Sequence, residues 1–221
     1  YKIPQKIKCL TDERKRKSIP LFNIVMPVLL FLMLQYESFH TIFSAPESMS
    51  KRLKNCISGR IPKVDAVRDL LSRINPDEIR SIHEEMIDII KRNRVFREGT
   101  IGGYVVAGLD GVELFSSTKH TGETEYFYRS VVCMIIGKSP HVILGQEMLK
   151  PRDGSGKDEG ELTGGKRLIE QLKKRHGHFA DVIVADALYL NAPFINTLKE
   201  NGLEGCPYKL RVVWYHAVSY T

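Results

Sequence analysis

The chain has 221 residues, of which 43% are hydrophobic and 27% charged, with a formal net charge of +7 at pH 7. This apolar content suffices for a packed core and excludes a mostly disordered chain. The cysteines show no C-x-x-C pair and no zinc spacing, which is typical of a protein of the reducing cytoplasm. They are Cys9, Cys56, Cys133 and Cys206.

The excess positive charge lies in the first half of the chain. Residues 1–100 contain 19 lysines and arginines and 12 acidic residues, whereas residues 101–221 contain 14 of each. This asymmetry favours a polyanion or a membrane surface as the partner of the first half. The alternative is a basic face that meets only solvent.

The beginning of the chain resembles a targeting segment, but only in part. Residues 1–18 are polar and basic, and we expect them to be a poorly ordered lead-in. The apolar stretch that follows has an uninterrupted core of 11 residues, from Ile24 to Leu34, and this core contains Pro27. Because a spanning helix needs about 20 residues, we expect a buried helix and no membrane partner. A membrane anchor remains the alternative.

Residues 19–98 are predicted to form a helical domain. Val64, Val67 and Leu70 follow helical spacing, and a second helix is expected after Asn75. Asn75 suits the N-cap, and Glu78 lies where a capping box requires it. Such a helical hairpin is compatible with a DNA-binding helix-turn-helix, although most hairpins of this kind only pack.

Residues 99–221 are predicted to form an α/β domain. Residues 100–119 read as strand, turn and strand, and residues 124–149 read as two further strands. A polar glycine-rich loop follows at 151–160. The chain then continues with a helix, a buried strand and a helix that ends at Gly202.

Two apolar runs in this domain each end on an aspartate. They are "YVVAGLD", which ends at Asp110, and "DVIVAD", which ends at Asp186. The order of elements resembles the ribonuclease-H-like fold, in which these aspartates would lie on neighbouring central strands. Adjacent carboxylates repel, and a divalent ion such as Mg²⁺ relieves that repulsion. The alternatives are that Asp110-Gly111 forms a hairpin turn and that Asp186 only caps the following segment.

Several stretches together resemble transposases of the IS4 type, which carry an Asp-Asp-Glu site on a ribonuclease-H-like core. They span roughly residues 20–205 in the order that the family shows. These stretches are "IPKVDAVRDLL", "YVVAGLDGVELFSSTK", "TEYFYRSVV", "VILGQEML", "KDEGELTGGKRLIEQL" and "DVIVADALYLNAPFINTLKENGLEG".

The resemblance implies roles for individual residues. Asp110 matches the first catalytic acid and Asp186 the second, both as ligands of Mg²⁺ or Mn²⁺. Tyr189 matches the aromatic residue that follows the second acid. Glu161 is expected to help shape the site without being its third ligand.

The third acid of the family has no counterpart in the printed sequence. The family places a Glu on a late helix, in a motif of Tyr, two residues, Arg, three residues, Glu, six residues and Lys. After Gly205 the resemblance ends, and we interpret the chain as a C-terminally truncated fragment whose tail could form a short strand. We therefore expect no useful cleavage by this chain alone. The alternative is a catalytically dead DNA-binding remnant.

The basic first half is the expected DNA-binding part. The resemblance implies that this region recognises the terminal inverted repeats of a transposon, that target DNA is a second partner, that the protein is nucleoid-associated, and that a homodimer can form. Phosphate contacts would fix the position of the protein without reading sequence; each basic side chain could equally be a solvated surface residue. The candidates are Lys51, Arg52, Lys54, Arg60, Lys63, Arg92 and Arg94.

Overall fold

The computed structural model describes most of the chain, which divides into two compact units. The units are Tyr1–Met86 and Ile87–Thr221. The division was expected near residue 98 and lies earlier, because Ile87 and Phe96 both belong to the core of the second unit. The described residues are 2–35, 51, 55, 57, 61–98, 100–118, 125–137, 141–150 and 159–203.

The first unit contains helices α1 (Ile3–Lys8), α2 (Phe22–Met33) and α3 (Val64–Leu71), and the beginning of α4 (Pro76–Arg92). Its core is a cluster of aliphatic side chains contributed by the first three helices and the segments between them. The buried members are Ile7, Leu10, Leu21, Ile24, Val28, Val67 and Leu70.

The expected poorly ordered lead-in is instead packed structure. Ile7 and Leu10 are buried in the cluster, and Ile3 packs against it. These positions are spaced by four and three residues, so α1 and the turn after it present one apolar side. Arg14 is also buried, and its guanidinium pairs with Asp12.

Helix α2 covers most of the apolar stretch that resembled an anchor. It has 12 residues with Pro27 inside, and several of its side chains are buried in the first unit. In the described part of the chain, no helix combines the length and the apolar character needed to cross a bilayer.

Both helices of the expected hairpin form, with one difference at the turn between them. Asn75 caps α4, because its Oδ1 accepts a hydrogen bond of 2.9 Å from the backbone N–H of Asp77. Glu78 does not complete a capping box. Its carboxylate accepts a hydrogen bond of 2.7 Å from the backbone N–H of Thr11, which ties the lead-in to α4.

The second unit is built on a four-stranded mixed sheet, preceded by the short helix α5 (Val95–Glu98). The sheet order is β3-β2-β1-β4, in which β1 pairs antiparallel with β2 and parallel with β4, and β2 pairs antiparallel with β3. The expected α/β class is therefore confirmed. The strands are β1 (Val106–Thr118), β2 (Glu125–Ile135), β3 (Val142–Met148) and β4 (Val182–Ala185).

The prediction of a strand, turn and strand at residues 100–119 is wrong. Asp110 and Gly111 lie within the single strand β1, opposite Val132 and Val131 of β2. An Asp-Gly pair makes a hairpin turn where its two flanking segments pair with each other. Here both flanks pair with β2, so the hairpin alternative for Asp110 is excluded.

Helix α6 (Glu161–His176) covers one face of the sheet. Its buried side chains Leu168, Ile169 and Leu172 join Val131, Cys133 and Leu144 of the sheet in one core. The helix stops at Gly177, whose φ of 62° suits glycine.

The last helix, α7 (Ala192–Leu198), ends earlier than expected and continues as a π-helical turn, Lys199–Leu203. The expected strand of the tail and the glycine-rich loop up to residue 158 lie outside the described residues.

Candidate active site

Asp110 and Asp186 directly follow the residues through which β1 and β4 pair. Strands β1 and β4 pair in parallel from Val106 opposite Val182 to Leu109 opposite Ala185. Asp110 and Asp186 are the next residue on each strand, and both are exposed. Because neighbouring strands lie about 4.8 Å apart, their backbones start from adjacent positions although 76 residues separate them in sequence.

Each aspartate uses one oxygen in a local hydrogen bond. Oδ1 of Asp110 accepts from the backbone N–H of Gly111 at 2.9 Å. Oδ1 of Asp186 accepts from the backbone N–H of Leu188 at 3.0 Å, which caps the 3₁₀ turn Ala187–Tyr189. The capping role considered for Asp186 therefore exists, and it occupies only one of its two oxygens.

Glu161 reaches the same edge of the sheet from the first turn of α6. Its carboxyl group lies so close to Gly111 that a Cβ atom at that glycine would collide with it. Glu161 therefore stands beside the residue that follows Asp110. An acidic side chain in the first turn of a helix is also favoured by the helix dipole.

Tyr189 lies beneath this edge, buried to 1% exposure. Its ring meets Phe194 edge to face, with centroids 5.0 Å apart. Its hydroxyl is buried and, within the described part of the protein, has no hydrogen-bond partner. Burial raises the pKa of this hydroxyl, and the charges of Glu161, Asp186 and Asp110 raise it further. All three carboxylates therefore act on one buried phenol.

Among the described residues, no lysine or arginine pairs with any of the three acids. In the ranges that the structure describes, Asp110, Glu161 and Asp186 form no ion pair with lysine or arginine. Carboxylates that lie close together repel each other unless a cation reduces the charge. Arg167 forms ion pairs with Glu147 and Glu159, and these three residues make a separate network along α6.

Carboxylate oxygens are the donors that Mg²⁺ and Mn²⁺ prefer. Among the described residues, no three His, Cys, Asp or Glu side chains form a group close enough to hold a metal ion directly. Mg²⁺ commonly takes only one or two carboxylates and keeps several waters. Asp110 and Asp186 offer donors of this type.

Sequence reasoning missed Gly111 and Gly165 as parts of this site. Gly111 makes room for Glu161, and Gly165 of α6 makes room for the Tyr189 ring. For Gly165 the available signal was the pair Gly164 and Gly165 inside α6, because glycine in a helix costs about 1 kcal/mol relative to alanine. A sequence that keeps glycine in a helix despite this cost indicates that another group packs closely against the helix there.

The basic candidates lie in both units. Lys51 and Lys63 are exposed in the first unit, and Arg92 and Arg94 are exposed in the second. Lys63 precedes α3, and Asp65 lies beside it in the same shallow hollow. The remaining candidates, Arg52, Lys54 and Arg60, lie outside the described residues.

Comparison with models of known protein families gives no match, and comparison with curated proteins gives none either.

Proposed function

We propose that the second unit is the catalytic core of a DNA transposase of the IS4 type, with a ribonuclease-H-like fold. The observation that carries this proposal is the parallel register of β1 and β4, which sets Asp110 within β1 beside Asp186, the residue that follows β4. The sheet order supports it, because an antiparallel meander followed by a crossover helix and a parallel strand beside β1 is the order that the resemblance implies.

Asp110 and Asp186 would hold Mg²⁺ or Mn²⁺ through the oxygens that their local hydrogen bonds leave available. When bound, the metal supplies an activated oxygen nucleophile and stabilises the leaving oxygen of a phosphodiester. The backbone hydrogen bonds to Gly111 and Leu188 hold the two carboxylates in place. Both aspartates are exposed to solvent, as contact with a DNA strand requires.

The first unit and the end of α4 would bind DNA through phosphate contacts from exposed basic side chains. Lys51, Lys63, Arg92 and Arg94 are the candidates that the structure describes. Transposon ends, target DNA and a second copy of the chain are the proposed partners, and a nucleoid-associated cytoplasmic location follows from them.

Metal binding to the purified chain tests this proposal without knowledge of the DNA end. We expect titration calorimetry to detect Mn²⁺ binding by the native chain and at least a tenfold weaker affinity in Asp110→Asn and in Asp186→Asn. Asp77→Asn is the matched control, because Asp77 is an exposed aspartate of α4. Unchanged affinity in both site variants would contradict the proposal.

Nicking of a supercoiled plasmid in Mg²⁺ separates an active enzyme from the alternative, a DNA-binding remnant without chemistry. Because the family's late glutamate has no counterpart in the printed sequence, we expect little nicking by this chain. Rapid nicking that Asp110→Asn abolishes would show that the missing motif is dispensable. Salt-dependent DNA binding without any metal binding would favour the remnant.

A further inference from the structure

We propose that the C-terminal ends of α4 and α6 form one basic surface that binds the phosphate backbone of duplex DNA. This inference rests on the proposed function and extends it, because it adds the end of α6 to the residues expected to contact DNA. We call this surface the helix-end patch. It consists of Lys91, Arg92, Arg94 and Arg97 at and after the end of α4, and of Lys173 and Arg175 in the last turn of α6.

The ends of the two helices are joined by side-chain contacts within the second unit. Nδ1 of His176 lies 2.8 Å from Oδ1 of Asp88, although 88 residues separate them in sequence. Nζ of Lys91 donates a hydrogen bond to the backbone carbonyl of His176. Phe96, which follows α4, and Leu172 of α6 belong to the same core. Two basic segments that are distant in sequence therefore lie next to each other.

The two segments concentrate positive charge. Residues 88–98 contain four lysines and arginines and two acidic residues, and residues 173–181 contain three and one. The end of α6 is thus a positive region within residues 101–221, which contain 14 basic and 14 acidic residues. Two of the three acids in these segments already bind histidines, Asp88 with His176 and Asp181 with His178. The local excess of positive charge attracts a polyanion.

The positions around α6 distinguish basic residues that flank the contact with α4 from one that does not. Because an α-helix has 3.6 residues per turn, successive residues are rotated by about 100°. Lys173 and Arg175 therefore lie about 60° and about 100° around the helix from His176, which contacts α4. Lys174 lies about 160° away, on the opposite side of the helix. It offers a matched control in the same helical turn.

The chemistry of the patch fits a nucleic-acid backbone better than a membrane surface. Within residues 87–98 and 172–181, all of which the structure describes, no large apolar side chain is exposed. Phe96, Leu172 and Phe179 are instead buried in the core. A helix that binds in the membrane interface inserts apolar side chains beside its basic ones. Contacts with DNA phosphates require only basic and polar groups, so duplex DNA is the partner that we infer.

The alternative role for these residues is to compensate for the helix dipoles. Basic side chains near the C-terminus of a helix are favoured electrostatically, and both α4 and α6 carry them in the last turn. A dipole role affects the stability of the folded chain, whereas a DNA role affects affinity in a salt-dependent way. The two roles can therefore be separated by measurement.

DNA affinity of the full chain, measured by fluorescence anisotropy on a labelled duplex oligonucleotide at several salt concentrations, tests the inference. Each phosphate contact contributes about one unit to the slope of log affinity against log salt concentration. We expect the double variant Lys173→Gln with Arg175→Gln to reduce this slope by about two. Lys174→Gln should leave the slope unchanged. A native slope in the double variant would remove the end of α6 from the DNA-binding surface and overturn the inference.

Two substitutions of Arg94 separate its charge from its effect on stability. The φ angle of Arg94 is 60°, in the left-handed region that glycine adopts at lower cost. Arg94→Gly and Arg94→Gln both remove the charge, but Arg94→Gly should have the higher melting temperature. Both should reduce the salt slope by about one. A slope that changed with the melting temperature instead of with the charge would contradict a phosphate contact.

Vesicles that contain phosphatidylserine test the other polyanionic partner. We expect weak vesicle binding that is equal in the native chain and in the double variant of Lys173 and Arg175. Vesicle binding that depends on these two residues, with duplex binding that does not, would assign the patch to a membrane surface and overturn the inference.

Failure of this inference differs from failure of the proposed catalytic site. A native salt slope in the double variant, with Mn²⁺ binding lost in Asp110→Asn, would reject the end of α6 and leave the metal site standing. A reduced slope in the double variant, without any Mn²⁺ binding by the native chain, would keep the patch and reject the metal site. Absence of duplex binding by the native chain at low salt would reject the patch together with the proposed DNA partner.

Discussion

Tyr189 and Gly165 approach each other so closely that no side chain fits between them. A Cβ atom at Gly165 would stand 2.8 Å from Cε1 of Tyr189. The ring is held elsewhere by its edge-to-face contact with Phe194, so it has little freedom to turn away. Helix α6 therefore fixes the position of the phenol that lies three residues after Asp186.

Replacing Gly165 by alanine should destabilise the protein. Overpacking a rigid site typically costs about 1–3 kcal/mol, against a gain of about 1 kcal/mol from the better helix propensity of alanine. We expect a net loss of free energy of unfolding in urea. In the comparison variant Gly164→Ala, the new Cβ overlaps a terminal methyl of Leu149, which can rotate, and stands 3.3 Å from Cγ2 of buried Val131. We expect this variant to lose less. Equal losses would contradict a specific clash with Tyr189.

Replacing Tyr189 by phenylalanine should not destabilise the metal-free protein. The hydroxyl is buried without a partner among the described residues, and an unsatisfied buried polar group costs about 1–3 kcal/mol. In the presence of a chelator we expect an unchanged or slightly higher free energy of unfolding for Tyr189→Phe. A clear loss would show that the hydroxyl already forms a hydrogen bond in the metal-free protein.

The free energies of unfolding of the native chain and of Tyr189→Phe should diverge at alkaline pH. Burial and the three carboxylates raise the pKa of Tyr189 above its ordinary value of about 10. The neutral phenol is therefore favoured in the folded state, and this stability is present below pH 10 and is lost as the pH rises through the folded pKa. Above pH 10, the free energy of unfolding should fall more steeply in the native chain than in Tyr189→Phe. Parallel curves would contradict the raised pKa.

The neighbouring positions of β1 and β4 were expected because the order of elements resembles the ribonuclease-H-like fold, in which the strand after the crossover helix lies beside the first strand. The continuity of β1 through Asp110 and Gly111 could not be predicted from the sequence. Local turn preference favours a hairpin there, and only pairing with β2, whose residues follow later in the chain, makes the strand continuous.

Glu161 was expected to help shape the site, but its place against the sheet could not be predicted. Glu161 and Gly111 are 50 positions apart, and their close approach depends on how α6 lies across the sheet. The packed lead-in was missed for a different reason. The spacing of Ile7 and Leu10 was visible, but the basic residues that follow, including Arg14, suggested solvent exposure, whereas Arg14 is buried with Asp12.

The pair of Asp12 and Arg14 should stabilise the first unit. Nε and one terminal nitrogen of Arg14 donate to the two oxygens of Asp12 at 2.9 and 2.7 Å, and the same nitrogen donates to the carbonyl of Ile19. Loss of one partner leaves a buried charge, so Asp12→Asn should cost on the order of 3 kcal/mol at pH 7. The exposed pair of Asp77 with Arg80 is the control, and Asp77→Asn should cost less than about 1 kcal/mol.

The cost of Asp12→Asn should disappear in acid. The hydrogen bond from Arg14 holds the pKa of Asp12 below its ordinary value. The stabilisation is therefore present above about pH 4 and is lost as the pH falls through the folded pKa. A difference between native and variant proteins that persists unchanged to pH 2 would contradict this assignment.

DNA affinity should depend on salt through Arg92 and Arg94. Each phosphate contact contributes about one unit to the slope of the logarithm of affinity against the logarithm of salt concentration. Changing both arginines to glutamine should reduce that slope by about two, as measured by fluorescence anisotropy on a duplex oligonucleotide. Lys174→Gln, an exposed lysine of α6, is the control. An unaltered slope in the double variant would exclude both arginines as phosphate contacts.

Two substitutions at Asp186 distinguish its role as a cap of the 3₁₀ turn from the role of its charge in metal binding. Asparagine retains an oxygen that can accept from the Leu188 N–H, whereas alanine removes it. Asp186→Ala should lower the free energy of unfolding by about 0.5–1 kcal/mol, and Asp186→Asn by less, because side-chain caps contribute about this much. Both should lose Mn²⁺ affinity to a similar extent, because both lack the carboxylate. If Asp186→Asn retained native affinity while Asp186→Ala lost stability, Asp186 would be a cap of the 3₁₀ turn and not a metal ligand.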